Sequence, residues 1–138
     1  MEERQYRHEY KYPLTNGQVL VEDAKISALA ARDAHVGEKG FYNIRSLYFD
    51  DYHDSCYLDN ENGVDERTKY RIRIYNHSTQ RIMLERKEKV RGRTGKQSCQ
   101  ITLSQCRCLM EGIIPKDIGP SQQVLGRLAY LMAVKLMR

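Results

Sequence analysis

Between Lys69 and Lys89 the chain reads KYRIRIYNHSTQRIMLERKEK, with Lys69, Arg71, Arg73 and Arg81 around two short apolar runs and Glu85 among Arg86, Lys87 and Lys89. Side chains alternate across a strand, so Arg71 and Arg73 share a face with Tyr75 while Tyr70, Ile72 and Ile74 form an apolar opposite face. On the returning strand Met83, Glu85, Lys87 and Lys89 fall on one face and Ile82, Leu84, Arg86 and Glu88 on the other. This parity allows Glu85 and Lys87 to sit beside the paired arginines. Like charges opposite one another weaken a sheet unless an anion compensates them, and Glu9 and Glu85 offset only part of the charge. Arginine grips phosphate through a planar bidentate fork and lysine as a compact charge, so a mixed face of this kind suits a chain of phosphates. A solvated basic sheet face has the same spacing.

The charge is concentrated as well as patterned. Residues 67–96 hold eleven Lys and Arg against two acids, within a 138-residue chain of net charge +5. Such a patch raises the local concentration of anions, which makes nucleic acid, phosphorylated metabolites and acidic membrane surfaces the partner classes to weigh. Arg7, Glu9 and Lys11 repeat the alternation on a separate segment, and a closed or strongly curved sheet would turn such faces inward around a polyanion.

Other candidates carry less. Asp50, Asp51 and Asp54 follow a strand, where acidic residues serve as turn and helix-capping signals more often than as a divalent-cation site. His8, His35, His53 and His77 fit neither zinc nor triad spacing, and no phosphate-binding glycine loop is present. Cys56, Cys99, Cys106 and Cys108 lack paired spacing, which predicts structural thiols in a reduced intracellular protein. The N-terminus is too polar for a signal peptide and no apolar run reaches membrane-spanning length, so the expected location is the cytoplasm. With no Trp, two Phe and no RNA-binding or helix-turn-helix pattern, nucleic acid ranks below a phosphate chain.

These residues need elements to hold them. Length and a hydrophobic fraction of 41% predict one packed domain over residues 1–138. A strand is expected from Gln5 to Tyr12, its tyrosines packed, and a helix capped by Thr15 from there to about Arg32, covering a sheet. GEKG breaks the chain before YNIRSLYFDD, whose apolar residues suit a strand buried on both faces. After a polar loop, LDNENGVDE, comes the hairpin with its turn at Asn76–Gln80. RGRTG punctuates again, a fifth strand spans Lys96–Leu103, and a short helix runs from Ser104 to Glu111, closed by Gly112. A last helix begins near Ser121, with Val124, Leu125, Leu128, Leu131 and Met132 on one side, and its pattern is still running at Arg138. The class is α+β, five strands with helices inserted.

RHEYKY, IRSLYFDD, RTKYRIRIY and IMLERKEK, in that order and at comparable spacing, make the chain resemble the VTC domain, the polyphosphate polymerase domain of the vacuolar transporter chaperone complex and its bacterial relatives. That family lies within the triphosphate tunnel, or CYTH-like, metalloenzymes. The resemblance implies a mainly antiparallel sheet forming part of a tunnel-shaped β-barrel with helices outside, binding nucleoside triphosphate or polyphosphate with manganese or magnesium. By position Lys11 matches the lysine of the opening strand, Arg71 and Arg73 the paired arginines, and Lys87 the lysine of the ERK segment. Glu9 matches the last glutamate of the superfamily's ExExK motif, while Arg7 replaces the first, as is common in the polymerase branch. YLDNENG offers no base where members often carry one, and Lys96 is the best cation of the fifth strand, with Gln100 the alternative.

The resemblance covers most of residues 4–112 and about the first half of the family domain. The reading that follows is the N-terminal portion of a VTC-like polyphosphate polymerase domain. Arg71, Arg73, Lys87 and Lys11 hold phosphates, Lys96 assists, and Glu9 and Glu85 are the candidate metal ligands, Glu85 alternatively orienting the cations. The alternatives are a binding module without turnover and an inorganic triphosphatase. An incomplete barrel leaves an open edge, which predicts self-association.

Overall fold

The computed structural model describes residues 6–117, 119 and 124–128. The chain divides into two compact units, Glu9–Asn43 and a larger one formed by Met1–His8 with Ile44–Arg138.

The larger unit is built on one antiparallel sheet of five strands: β1 (Tyr6–His8), β2 (Ile44–Phe49), β3 (Arg67–Tyr75), β4 (Ile82–Val90) and β5 (Arg93–Ile101). Their order is β1-β5-β4-β3-β2, so β1 and β2 are the edges of an open sheet. With α1 (Asn16–Ser27) in the smaller unit and α2 (Ser55–Glu61) and α3 (Leu103–Met110) in the larger, the class is α+β.

The β3–β4 hairpin forms as the alternation predicts. Asn76 and His77 take positive φ after Tyr75, a conformation Asn and His tolerate better than most residues. The β4–β5 connection is tighter: Arg91 and Gly92 alone make the turn, both at positive φ. Only Arg91 and Gly92 of RGRTG lie outside a strand, and Arg93, Thr94 and Gly95 already belong to β5, which starts three residues earlier than expected and ends at Ile101.

One face of the sheet builds the core. Tyr70 and Ile72 of β3, Ile82 and Leu84 of β4 and Ile101 of β5 are buried with Cys106 and Leu109 of α3 and with Val124, Leu125 and Leu128 of the helical residues 124–128. Thr102 caps α3 in a reciprocal capping box with Gln105. Gln105, itself buried, donates from Nε2 to the Asp117 carbonyl at 2.8 Å and so pins the chain beyond α3. Ser121, Leu131 and Met132 of the expected last helix lie outside the described residues. No helix among the described residues is long and apolar enough to cross a membrane.

Four expectations are corrected. β2 is not buried on both faces: Ile44, Leu47 and Tyr48 are exposed, because β2 is an edge strand and only its last residue, Phe49, packs against the core. The opening strand stops at His8, where pairing with β5 ends at Arg93 and the next partner would be the turn residue Gly92. Tyr10 and Tyr12 are consequently exposed rather than packed. The segment read as a polar loop, 58–66, begins inside α2, since two carboxylates upstream cap that helix: Asp50 accepts from the backbone N–H groups of Cys56 and Tyr57, and Asp51 from those of His53 and Ser55. In the smaller unit α1 ends at Ser27, five residues before Arg32, with Thr15 as its N-cap in a capping box and no buried residue.

Candidate functional site

The face of the sheet opposite the core gathers most of the candidate residues, and register places them in rows. Across β2, β3, β4 and β5 run Tyr48, Arg71, Glu85 and Ser98, and beside them Ser46, Arg73, Met83 and Gln100. Two residues further along, Lys69, Lys87 and Lys96 stand directly opposite one another on β3, β4 and β5. Adjacent strands are about 4.8 Å apart, so three ammonium-bearing side chains rise from neighbouring strands within roughly 10 Å. The parity inferred for Arg71, Arg73, Glu85 and Lys87 is thus realised.

Glu85 organises this face. Its side chain is 3% exposed, and Oε2 accepts from Nε of Arg71 at 2.7 Å while the same oxygen lies 2.7 Å from Arg71 Nη2. Oε1 accepts from Lys96 Nζ at 3.4 Å. Burial alone would push its carboxyl up, but the hydrogen bond and charge of Arg71, with the charges of Lys96 and Arg73, hold it below the ordinary carboxylate value. A carboxylate buried beneath two cations is a fixed counter-charge that sets their geometry; removing it leaves Arg71 without its partner.

Neighbouring strands orient the remaining groups. Arg71 also donates from Nη1 to the Tyr48 hydroxyl at 3.2 Å, and that hydrogen bond lowers the phenol's pKa. Arg73 donates from Nε to Ser46 Oγ at 3.2 Å. Lys69 Nζ donates to Asn60 Oδ1 of α2 at 2.6 Å, so the helix hidden in the acidic loop fixes one lysine of the row. Tyr48, Ser46 and Asn60 were not anticipated as part of the site. IRSLYF carries the signal in its alternation of Ser46 and Tyr48, but only the pairing with β3 shows that these two face the arginines.

Lys96, and not Gln100, is the β5 residue beside Lys87; Gln100 lies opposite Met83 and donates from Nε2 to the Gln80 carbonyl. Glu9 and Lys11 have no strand position. They lie beyond β1 in the smaller unit, 3.9 Å apart as an ion pair.

Among the described residues no group of three or more His, Cys, Asp or Glu could hold a metal ion. Both oxygens of Glu85 are engaged by cations, Oε2 by Arg71 and Oε1 by Lys96, the arrangement of a carboxylate that orients them. Asp50 and Asp51 are committed to backbone N–H groups, the capping role that their position predicts.

The arrangement therefore offers an anion five cations on one face, Lys69, Arg71, Arg73, Lys87 and Lys96, around one buried carboxylate. Neighbouring ammonium groups at strand spacing repel by about 1 kcal/mol in water and more where water is excluded. Phosphate oxygens laid over the row would remove that repulsion. Comparison with curated proteins and with solved structures gave no match. The VTC domain family, in contrast, matches residues 6–136, which takes in the helical residues 124–128 that pack on the core face as well as the whole basic hairpin. With a match of that extent, the chain belongs to the VTC domain family.

Proposed function

We propose that this domain is a polyphosphate polymerase-like module whose basic sheet face binds the phosphate chain of a nucleoside triphosphate or of polyphosphate. The observation that carries the reading is the row Lys69, Lys87 and Lys96 beside Arg71 and Arg73, cations opposed across three strands with a single buried carboxylate among them. Family membership supports the same ligand class.

In this reading phosphoryl transfer from a nucleoside triphosphate to a growing polyphosphate is promoted by positioning and charge neutralisation, with no covalent intermediate on the protein. The guanidinium forks of Arg71 and Arg73 hold the phosphates flanking the transferred group, and Lys87 neutralises charge that shifts to the leaving oxygen. Lys69 and Lys96 hold the rest of the chain. Glu85 keeps Arg71 and Lys96 in place. On the family resemblance alone, Lys11 would be a further phosphate ligand and Glu9 would contribute to holding a manganese or magnesium ion, which would neutralise phosphate charge.

The test is to incubate the protein with ATP and manganese and to follow polyphosphate and free phosphate separately. Polyphosphate formation that falls at least about tenfold in Arg73→Ala supports the reading, a lost hydrogen bond to a charged group being worth that much. Free phosphate alone would indicate a triphosphatase. Salt-sensitive binding of triphosphate without product would indicate a binding module. An Arg73→Ala variant indistinguishable from the parent in both assays would remove the site from consideration.

A further inference from the structure

Beyond the lysine row the basic face continues. The next row across the sheet is Arg67 on β3, Lys89 on β4, Thr94 on β5 and Arg7 on β1. None of its members is a carboxylate. Thr94, buried and neutral, stands between Lys89 and Arg7. One acid flanks the row: Asp65 Oδ1 lies 4.0 Å from Lys89 Nζ, and the same oxygen accepts from the Gly92 backbone N–H at 2.9 Å. Arg67 donates from Nη1 to the Val64 carbonyl at 2.8 Å, which holds its side chain at the start of β3.

The placement of Arg7 depends on a local fit. The Tyr6 ring lies over Gly95, its Cε1 2.9 Å from where a Cβ would stand, so only glycine permits this approach. The Tyr6 hydroxyl donates to the Glu88 carboxylate, which is also bonded to Arg86 Nη2 at 2.6 Å. Tyr6 thus fastens β1 to β5 from the core face, and alternation sends Arg7 to the basic face.

We infer that Arg7, Arg67 and Lys89 form a second anion subsite on the basic face, which takes phosphates beyond those held by Arg71 and Arg73 and makes affinity grow with chain length. This rests on the phosphate-chain reading above and extends it to the choice of ligand. From Arg73 to Arg67 is six residues along β3, about 20 Å, and from Arg71 to Arg67 about 13 Å. Three linked phosphates do not reach both ends, whereas a longer chain does. Each added phosphate that meets a cation releases counterions, so binding of the longer chain depends more steeply on salt.

The experiment compares tripolyphosphate with a polyphosphate long enough to span the sheet, by calorimetric titration at two salt concentrations, using the parent and an Arg7→Gln/Arg67→Gln/Lys89→Gln variant. The variant is expected to lose about tenfold in affinity for the long chain, about twofold from each of three exposed ion pairs. Its salt slope for that ligand becomes shallower by about two. Tripolyphosphate affinity stays within about twofold, which also reports an intact fold. An unchanged long-chain affinity overturns the second subsite, as does an equal loss for both ligands. If the parent binds neither ligand, the phosphate-chain reading itself fails; if it binds both and only the length dependence is absent, that reading stands and the subsite does not.

Discussion

The two faces of the hairpin strands solve opposite problems with the same backbone. Toward the helices, Tyr70, Ile72, Ile82 and Leu84 are buried and touch one another and α3. Toward the other side, Lys69, Arg71, Arg73 and Lys87 rise from alternate positions of the same strands, with Glu85 as the buried counter-charge. The first face gains stability from apolar area removed from water; the second accumulates repulsion that an anion can relieve. Period-two alternation keeps these separate, so that substitutions one residue apart should have different consequences.

The largest effect is expected on the core face. Leu84 is fully buried, and Leu84→Ala should cost about 2–5 kcal/mol in denaturant unfolding while leaving the triphosphate affinity of the folded protein unchanged. Next is Glu85→Gln, which removes the counter-charge beneath Arg71 and Lys96 and should cost about 1–3 kcal/mol. This variant should recover part of the loss when tripolyphosphate is added, because the ligand then supplies the missing negative charge; a Leu84→Ala variant should show no such preferential recovery.

The same carboxylate gives a pH dependence. Its folded-state pKa lies below the ordinary value of 4.5, so its contribution is fully present above that value and is lost as pH falls through the lower, folded-state pKa. Unfolding free energies measured at neutral pH and in acid should therefore converge between the parent and Glu85→Gln as the pH drops. A gap of constant size would show that Glu85 acts by packing and not by charge. The smallest effect is expected for Tyr48→Phe, which removes the hydroxyl accepting from Arg71: less than about 1 kcal/mol of stability, and a weakening of triphosphate binding of only a few-fold.

Which parts of this were legible in the sequence follows from the range of the interactions. KYRIRIY and IMLERKEK declare their faces because apolar and charged residues alternate strictly, and the parity of Glu85 and Lys87 with the arginines needed no register. The cap of α3 at Thr102 and the acidic caps before α2 are local too, although α2 itself was masked by its own Asp and Asn residues, which read as a turn until Asp50 and Asp51 are seen to satisfy its first N–H groups. The exposure of β2 was not legible, since IRSLYF has the composition of a central strand and nothing in it says that only β3 pairs with it. Nor was the early end of β1, which depends on where β5 begins: His8 pairs with Arg93, 85 residues further along the chain. For the same reason Tyr48, Ser46 and Asn60 entered the site only through pairing and packing.

The central claim is that the basic face binds a chain of phosphates through the opposed lysine row and its arginines, independently of the core behind it. The most direct test is calorimetric titration of tripolyphosphate, at low and at high salt, onto the parent and onto Lys87→Gln, the middle of the row. The account predicts binding by the parent that weakens as salt rises, and an affinity lower by about three- to tenfold in the variant at low salt, with unfolding unchanged within about 0.5 kcal/mol. Binding that is insensitive to both salt and the substitution, or no binding at all at low salt, would contradict it.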